Sequence, residues 1–271
     1  MARKPRLHEN GGVYHVMLRG NGGQDIFFDD DDRHHFYFLL QHGIARYGHR
    51  AHGFCLMSNH VHLAVQVGEV PLAKIMQNLS FRYTRWVNKN QTRIGHLFQG
   101  RYKAIMVDRD AYLLELVRYI HLNPVRAKLV RQPQNYAWSS HRAYLWQETL
   151  PWLTTDWVLG QFSARLTTCR KRYEIFVNEG RDESRRGDFH DGGDIDQRVL
   201  GDDDFAERVL NISCAPSKHV TLDTLVNFVC NEYQMAEPDL TSVCQSRRAS
   251  AARSVVGWVA PPLTLISWLL R

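Results

Sequence analysis

Asn59-His60-Val61-His62-Leu63-Ala64-Val65 sets two imidazoles two residues apart inside an apolar run, which is the pattern of a β-strand. Side chains alternate faces along a strand, so His60, His62, Ala64 and Gln66 share one face while Val61, Leu63, Val65 and Val67 share the other. One face is suited to a core and the other carries two nitrogen donors. Two neutral imidazoles at this spacing can share one divalent cation and leave positions for a third ligand, water and substrate. A pair of hydrogen-bonded histidines on a half-exposed strand fits equally well, so these residues alone leave both readings open.

Working outward, Tyr14 to Arg19 reads as a first strand closed by the glycines at 20, 22 and 23. Asp29 to Asp32 supply a helix N-cap and first-turn carboxylates for a helix running to about Tyr47. Strands follow at roughly 49 to 57 and 60 to 67. A second helix, roughly 71 to 90, carries Ile75, Leu79, Tyr83 and Trp86 at helical spacing. Phe98 to Val107 reads as a fourth strand, and Asp110 to about Leu122 as a third helix that ends near Pro124. The order describes an α+β, ferredoxin-like sandwich with a four-stranded antiparallel sheet and the histidine pair on a central strand.

The 271 residues allow one large or two modest domains, and 44% hydrophobic with 23% charged residues is an ordinary globular balance. Charge is distributed unevenly. Residues 1 to 150 carry 20 Lys and Arg against 11 Asp and Glu, a net +9, and the remainder carries 14 against 17, a net −3. A basic first part that also holds the histidine pair suggests a polyanionic partner, with an ordinary basic surface as the alternative. Five cysteines without C-x-x-C spacing look like reduced thiols. The N-terminus lacks an apolar signal core, and the apolar run from Val255 to Leu270 is broken by Gly257, Pro261 and Pro262, so the expectation is a cytoplasmic protein without a membrane partner.

Tyr119 and Asn123 lie four residues apart and share a helix face if the helix persists that far. A phenol can attack a phosphodiester once a cation polarises the phosphate, and an amide oxygen can join a site built by His60 and His62. A core tyrosine and a helix-terminating asparagine before Pro124 account for the same two residues. Arg101 and Lys103, alternate residues of the fourth strand, are candidate phosphate contacts. Arg82, Arg85 and Trp86 are candidates for a backbone groove with one stacking surface.

Met57-Ser58-Asn59-His60-Val61-His62, Phe98-Gln99-Gly100-Arg101-Tyr102-Lys103-Ala104 and Tyr119-Ile120-His121-Leu122-Asn123-Pro124-Val125 resemble the REP-associated tyrosine transposases, in the single-tyrosine branch of the HUH endonucleases. Tyr14-His15-Val16 through Arg19-Gly20-Asn21, and Trp138-Ser139-Ser140-His141-Arg142-Ala143-Tyr144, are similar as well. The resemblance covers roughly residues 10 to 180. It implies His60, His62 and Asn123 as ligands of Mg²⁺ or Mn²⁺ and Tyr119 as nucleophile. The implied reaction is cleavage and rejoining of single-stranded DNA beside palindromic-repeat hairpins through a 5′-phosphotyrosine, by a monomer or homodimer.

On this basis residues 1 to 150 form the transposase domain and residues 151 to 204 a helical extension with a polar linker. Residues 178 to 204 are read as solvated, with little core-forming material. Residues 205 to 271 weakly resemble a DnaA-like helix-turn-helix region that ends in Ala260-Pro261-Pro262 and Leu263 to Arg271 without a recognition helix, and so reads as truncated. The second functional reading is a domesticated, non-cleaving DNA-binding regulator of repeat elements. A metal hydrolase of small phosphoesters fits the ligands but neither the basic surface nor the tyrosine.

Overall fold

Helix entry explains the four consecutive aspartates. Asp29 accepts a hydrogen bond from the Asp32 amide at 2.8 Å and so caps α1 (Asp30–Tyr47), Asp30 and Asp31 complement its N-terminal dipole, and Gly48 at φ 67° closes it. Asp32 turns inward and accepts from the Phe28 amide and Trp86 Nε1 at 3.0 and 3.1 Å. This computed structural model describes residues 6–183, 186–214, 222–241, 246, 248–252 and 255.

Strand β1 (Val13–Arg19) precedes α1; β2 (Arg50–Leu56), β3 (His60–Gln66), α2 (Leu72–Asn90), β4 (Lys103–Val107) and α3 (Arg109–Arg126) follow. The strands lie in the order β2-β3-β1-β4, antiparallel throughout, the ferredoxin-like arrangement with β3 inside the sheet. Alternation sorts the two faces. Val16, Leu18, Phe54, Leu56, Val61, Leu63 and Val65 meet the apolar faces of α1 and α2. Val13, Cys55, Ala64, Ile105 and Val107 meet Leu116, Val117 and Ile120 of α3 on the other side.

A fifth strand and two boundaries depart from the sequence expectation. β5 (Val199–Leu200) pairs in parallel with β4, and two residues are too few for periodicity to reveal. β4 begins at Lys103 because Gly100, at φ 67°, bends the chain, so Phe98 makes only an isolated bridge to Gly20 and Arg101 precedes the strand. Helix α3 does not stop at Pro124 but continues to Arg126. The lost amide is compensated locally: Asn123 Nδ2 donates to the Tyr119 and Ile120 carbonyls at 2.9 and 3.3 Å, and Arg126 Nη1 donates to the Tyr119 carbonyl at 3.0 Å.

A buried polar cluster fixes α3 against β2. His121 Nδ1 meets the Tyr173 hydroxyl at 2.5 Å and its Nε2 meets Ser140 Oγ at 2.7 Å, while Ser140 Oγ accepts from the Phe54 amide at 2.9 Å. The Trp138 to Tyr144 motif is thus part of the fold's frame. The Trp138 carbonyl accepts from the Leu56 amide, and α4 (His141–Tyr144) carries the Tyr144 hydroxyl onto the His52 carbonyl at 2.7 Å. Helices α5 (Asp156–Gly160) and α6 (Leu166–Glu179) complete this layer.

The stretch read as a solvated linker is packed instead. Arg118 of α3 pairs with Glu183, and Arg186 with Glu115, which lays α7 (Asp188–Asp191) over α3 and buries Phe189 completely. One aromatic among Asp, Gly and Arg is a weak signal in sequence, yet in a fold its burial outweighs the polarity around it. Helix α8 (Asp203–Cys214) then adds Phe205, Ala206 and Val209 to the first core.

By contacts the chain divides into Met1–Cys214 and Ala215–Arg271. The second unit contains α9 (Leu222–Glu232) and α10 (Glu237–Thr241), with a small core of Val226, Val229, Cys230, Leu240 and Ala252. The expectations on Ala260-Pro261-Pro262 and residues 263 to 271 fall outside the described residues. Among the described residues no helix is long and apolar enough to cross a membrane.

Burial lowers the pKa of both His49 and His141 to about 4. The unfolded chain binds these protons near pH 6.5, so stability is full above that pH and falls as pH drops toward 4. At pH 5 each histidine costs about 2 kcal/mol. Urea unfolding at pH 7.5 and pH 5 is expected to show this loss and a smaller loss in His49→Leu; equal midpoints for the unsubstituted chain would contradict it.

Candidate active site

Strand register determines which side chains meet. Pairing of β1 with β3 sets Met17 opposite His62 and His15 opposite Ala64, so His15, on the same face, lies diagonally beside His62. His15 Nε2 approaches His62 Nδ1 at 2.9 Å, and His15 Nδ1 lies 2.8 Å from the Phe189 carbonyl oxygen. A carbonyl only accepts, so His15 Nδ1 carries the proton. Burial lowers the His15 pKa to about 3, which keeps the ring neutral and makes its Nε2 an acceptor. His62 Nδ1–H therefore donates to His15, and His62 Nε2 carries a lone pair.

His60 reaches the same state by another route. Asn59 Nδ2 donates to the Gly23 carbonyl at 3.1 Å, which turns its Oδ1 toward His60 Nδ1 at 2.6 Å. His60 Nδ1 donates there, and its Nε2 is the basic nitrogen. The two rings stand 5.1 Å apart between centroids and nearly perpendicular. In each ring Nδ1 is tied to an orienting acceptor, so that when the imidazole is neutral Nε2 is the nitrogen that can bind a metal ion.

Across the cleft, α3 presents Tyr119, which is only 3% exposed. Its hydroxyl meets His190 Nε2 of α7 at 2.5 Å, and its ring packs against Phe189 at 5.2 Å between centroids. The ring centre lies 6.0 Å from that of His62, with the planes nearly perpendicular, and the Arg126 guanidinium sits 4.8 Å from the ring centre. Asn123, one turn along α3, spends its amide nitrogen on main-chain carbonyls and leaves its oxygen as the end that can meet a cation.

His60, His62, Tyr119 and Asn123 line one cleft of about 750 Å³ together with Arg101, Lys103, Arg126 and His190. Lys103 also faces Asp191 at 3.9 Å. Arg82, Arg85 and Trp86 are not brought to this cleft. They belong to α2, across the sheet, where Arg82 meets His42 at 3.2 Å, Arg85 lies over Phe81, and Trp86 stacks on His35 at 3.8 Å and bonds Asp32.

Sequence reasoning gave no role to His15, Asn59, Arg126 or His190. His15 and Asn59 stood inside motifs already singled out, but only strand pairing and side-chain geometry make them partners of His62 and His60. His190 had no sequence signal beyond the neighbouring Phe189.

Residues 10–123 match the family model described as "Transposase IS200 like". Among solved structures, a REP-associated tyrosine transposase bound to a REP hairpin is similar over 56% of this chain and 89% of that chain, at 14% identity and a TM-score of 0.48. No curated protein matches the chain. The family match runs through β1 to β4 and most of α3, and takes in His60, His62, Tyr119 and Asn123. Over residues 10–123 the chain is thus similar to the IS200-like transposases.

Proposed function

We propose that the chain is a metal-dependent endonuclease and strand transferase for single-stranded DNA at palindromic-repeat hairpins, with Tyr119 as nucleophile. The observation that carries this reading is the meeting of the Tyr119 hydroxyl and two Nε2-basic histidines in one cationic cleft. His60 and His62 Nε2 and the Asn123 side-chain oxygen form a donor set suited to Mg²⁺ or Mn²⁺, which when bound would polarise the scissile phosphate.

The chain's own residues account for the remaining steps. His190 Nε2 holds the Tyr119 hydroxyl and takes its proton as the phenolic oxygen attacks phosphorus. The bond from phosphorus to the 3′-oxygen breaks, the 3′-oxygen is protonated from solvent, and the 5′-phosphate stays on Tyr119. Rejoining is the reverse displacement, with His190 returning the proton to the phenol. Arg101 and Lys103 border the cleft where a DNA backbone would enter.

Three observations support this reading over a non-cleaving regulator. The tyrosine, both histidines and the asparagine share one cleft, each imidazole has its Nδ1 tied to a side-chain partner, and the tyrosine hydroxyl meets His190 Nε2. The deciding experiment incubates the protein with a hairpin oligonucleotide from its own genomic repeats, labelled at either end, with Mn²⁺ or EDTA. The expected product is a Mn²⁺-dependent covalent adduct that retains the 3′ label and is absent from Tyr119→Phe, while hairpin binding persists. Hairpin binding in EDTA with no adduct under any divalent ion would establish the non-cleaving regulator instead.

The orienting shell makes a second prediction. Asn59→Leu removes the acceptor that fixes His60, so Mn²⁺ affinity, read by the electron paramagnetic resonance of free Mn²⁺, is expected to fall about 10- to 100-fold. An unchanged affinity would remove Asn59 and His60 from the metal site.

A further inference from the structure

Arg126 stands at the end of α3 with its charge turned onto the nucleophile and no role yet in the reaction. Its Nη1 donates to the Tyr119 carbonyl at 3.0 Å and its guanidinium carbon lies 4.8 Å from the centre of the Tyr119 ring. Its Nε is buried and meets no hydrogen-bond partner. Among the described residues no carboxylate lies within ion-pair distance of it. Glu183, the acid that lines the same cleft, is engaged by both of its oxygens with Arg118 at 2.8 and 2.9 Å. Burial lowers the pKa of Arg126 from its ordinary value, Tyr119 and Glu183 oppose that shift, and Arg118 and Arg186 add to it.

A half-buried guanidinium with an unsatisfied N–H and no carboxylate at ion-pair distance is costly unless an anion completes it. Arg126 also lines the cleft, where its planar guanidinium can match the oxygens of a phosphate. Arg126 and Tyr119 line the same cleft, so a phosphate held there by the guanidinium would be within reach of the tyrosine. Resting on the proposed nickase reading, we infer that Arg126 is a catalytic residue whose guanidinium, where it lines the cleft, grips the non-bridging oxygens of the scissile phosphate. Its charge opposes the negative charge that builds on those oxygens during attack. Arg126 thereby acts on a different part of the reaction from His190, which handles the phenolic proton, and from His60, His62 and Asn123, which offer ligands to the cation.

The test pairs a protein change with a substrate change. Cleavage by the unsubstituted chain first maps the scissile position on the hairpin oligonucleotide. The same oligonucleotide is then made with a neutral methylphosphonate at that position. Affinities for both oligonucleotides are measured in the non-cleaving Tyr119→Phe chain, with and without Arg126→Gln. Arg126→Gln is expected to weaken binding of the native oligonucleotide about tenfold and to leave binding of the methylphosphonate unchanged. With Tyr119 intact, it is expected to slow adduct formation about 10²- to 10³-fold, and Arg126→Lys, which keeps the charge without the fork, by less.

Equal weakening of both oligonucleotides, or of neither, would overturn the role of Arg126 and leave the nickase reading standing. If Arg126→Gln does not fold, the same comparison is made with Arg126→Lys, for which a methylphosphonate penalty as large as that of the unsubstituted chain would overturn the role. Absence of any adduct with the unsubstituted chain would overturn both readings together.

Discussion

A carbonyl oxygen can accept a hydrogen bond and never donate one, and at Phe189 this fixes the protonation of the cleft. His15 must donate to it, His62 must therefore donate to His15, and the basic nitrogen of His62 is left facing Tyr119's side of the sheet. The relay works because His15 is fully buried and remains neutral across the physiological range. Its outer end belongs to α7, so the segment that supplies His190 to the tyrosine also sets the tautomer of His62. One short helix thus touches both halves of the site.

That helix is held by charge and by one ring. Arg118 and Arg186 of opposite ends of the contact pair with Glu183 and Glu115, and Phe189 enters the core beside Tyr119. Tyr119 in turn depends on the placement of α3, which the buried His121, Ser140 and Tyr173 group fastens to β2 two residues farther along. Pro124 would end the helix here if the asparagine before it did not satisfy the carbonyls the proline leaves bare. Asn123 therefore maintains the helix with its nitrogen and offers its oxygen to the cleft.

Much of the fold was legible in the residues. The alternation of His60 to Val67 gave a two-faced strand, the aspartates before α1 gave its start, and helical spacing in α2 gave its buried face. Where the reading failed, a single local choice was decided by distant packing. Two residues of β5 gain a partner only because β4 has an open edge. The polar run around Phe189 orders because its ion pairs and one apolar ring meet α3. Arg101 and Lys103 came to the cleft, while Arg82, Arg85 and Trp86 stayed across the sheet, a distinction helical spacing within α2 cannot make.

By itself the sequence determined the elements from β1 to α3, the two faces of β3, the basic character of the first part of the chain and the residue types from which a phosphoryl-transfer site can be assembled. Those properties are local, being set by side-chain alternation, capping and charge along a few consecutive residues. Tertiary structure alone decided the partners that orient His15, His60 and His62 and the arrival of His190 at Tyr119. Each depends on groups from different elements brought within about 3 Å, the range in which a hydrogen bond forms and a donor must find an acceptor.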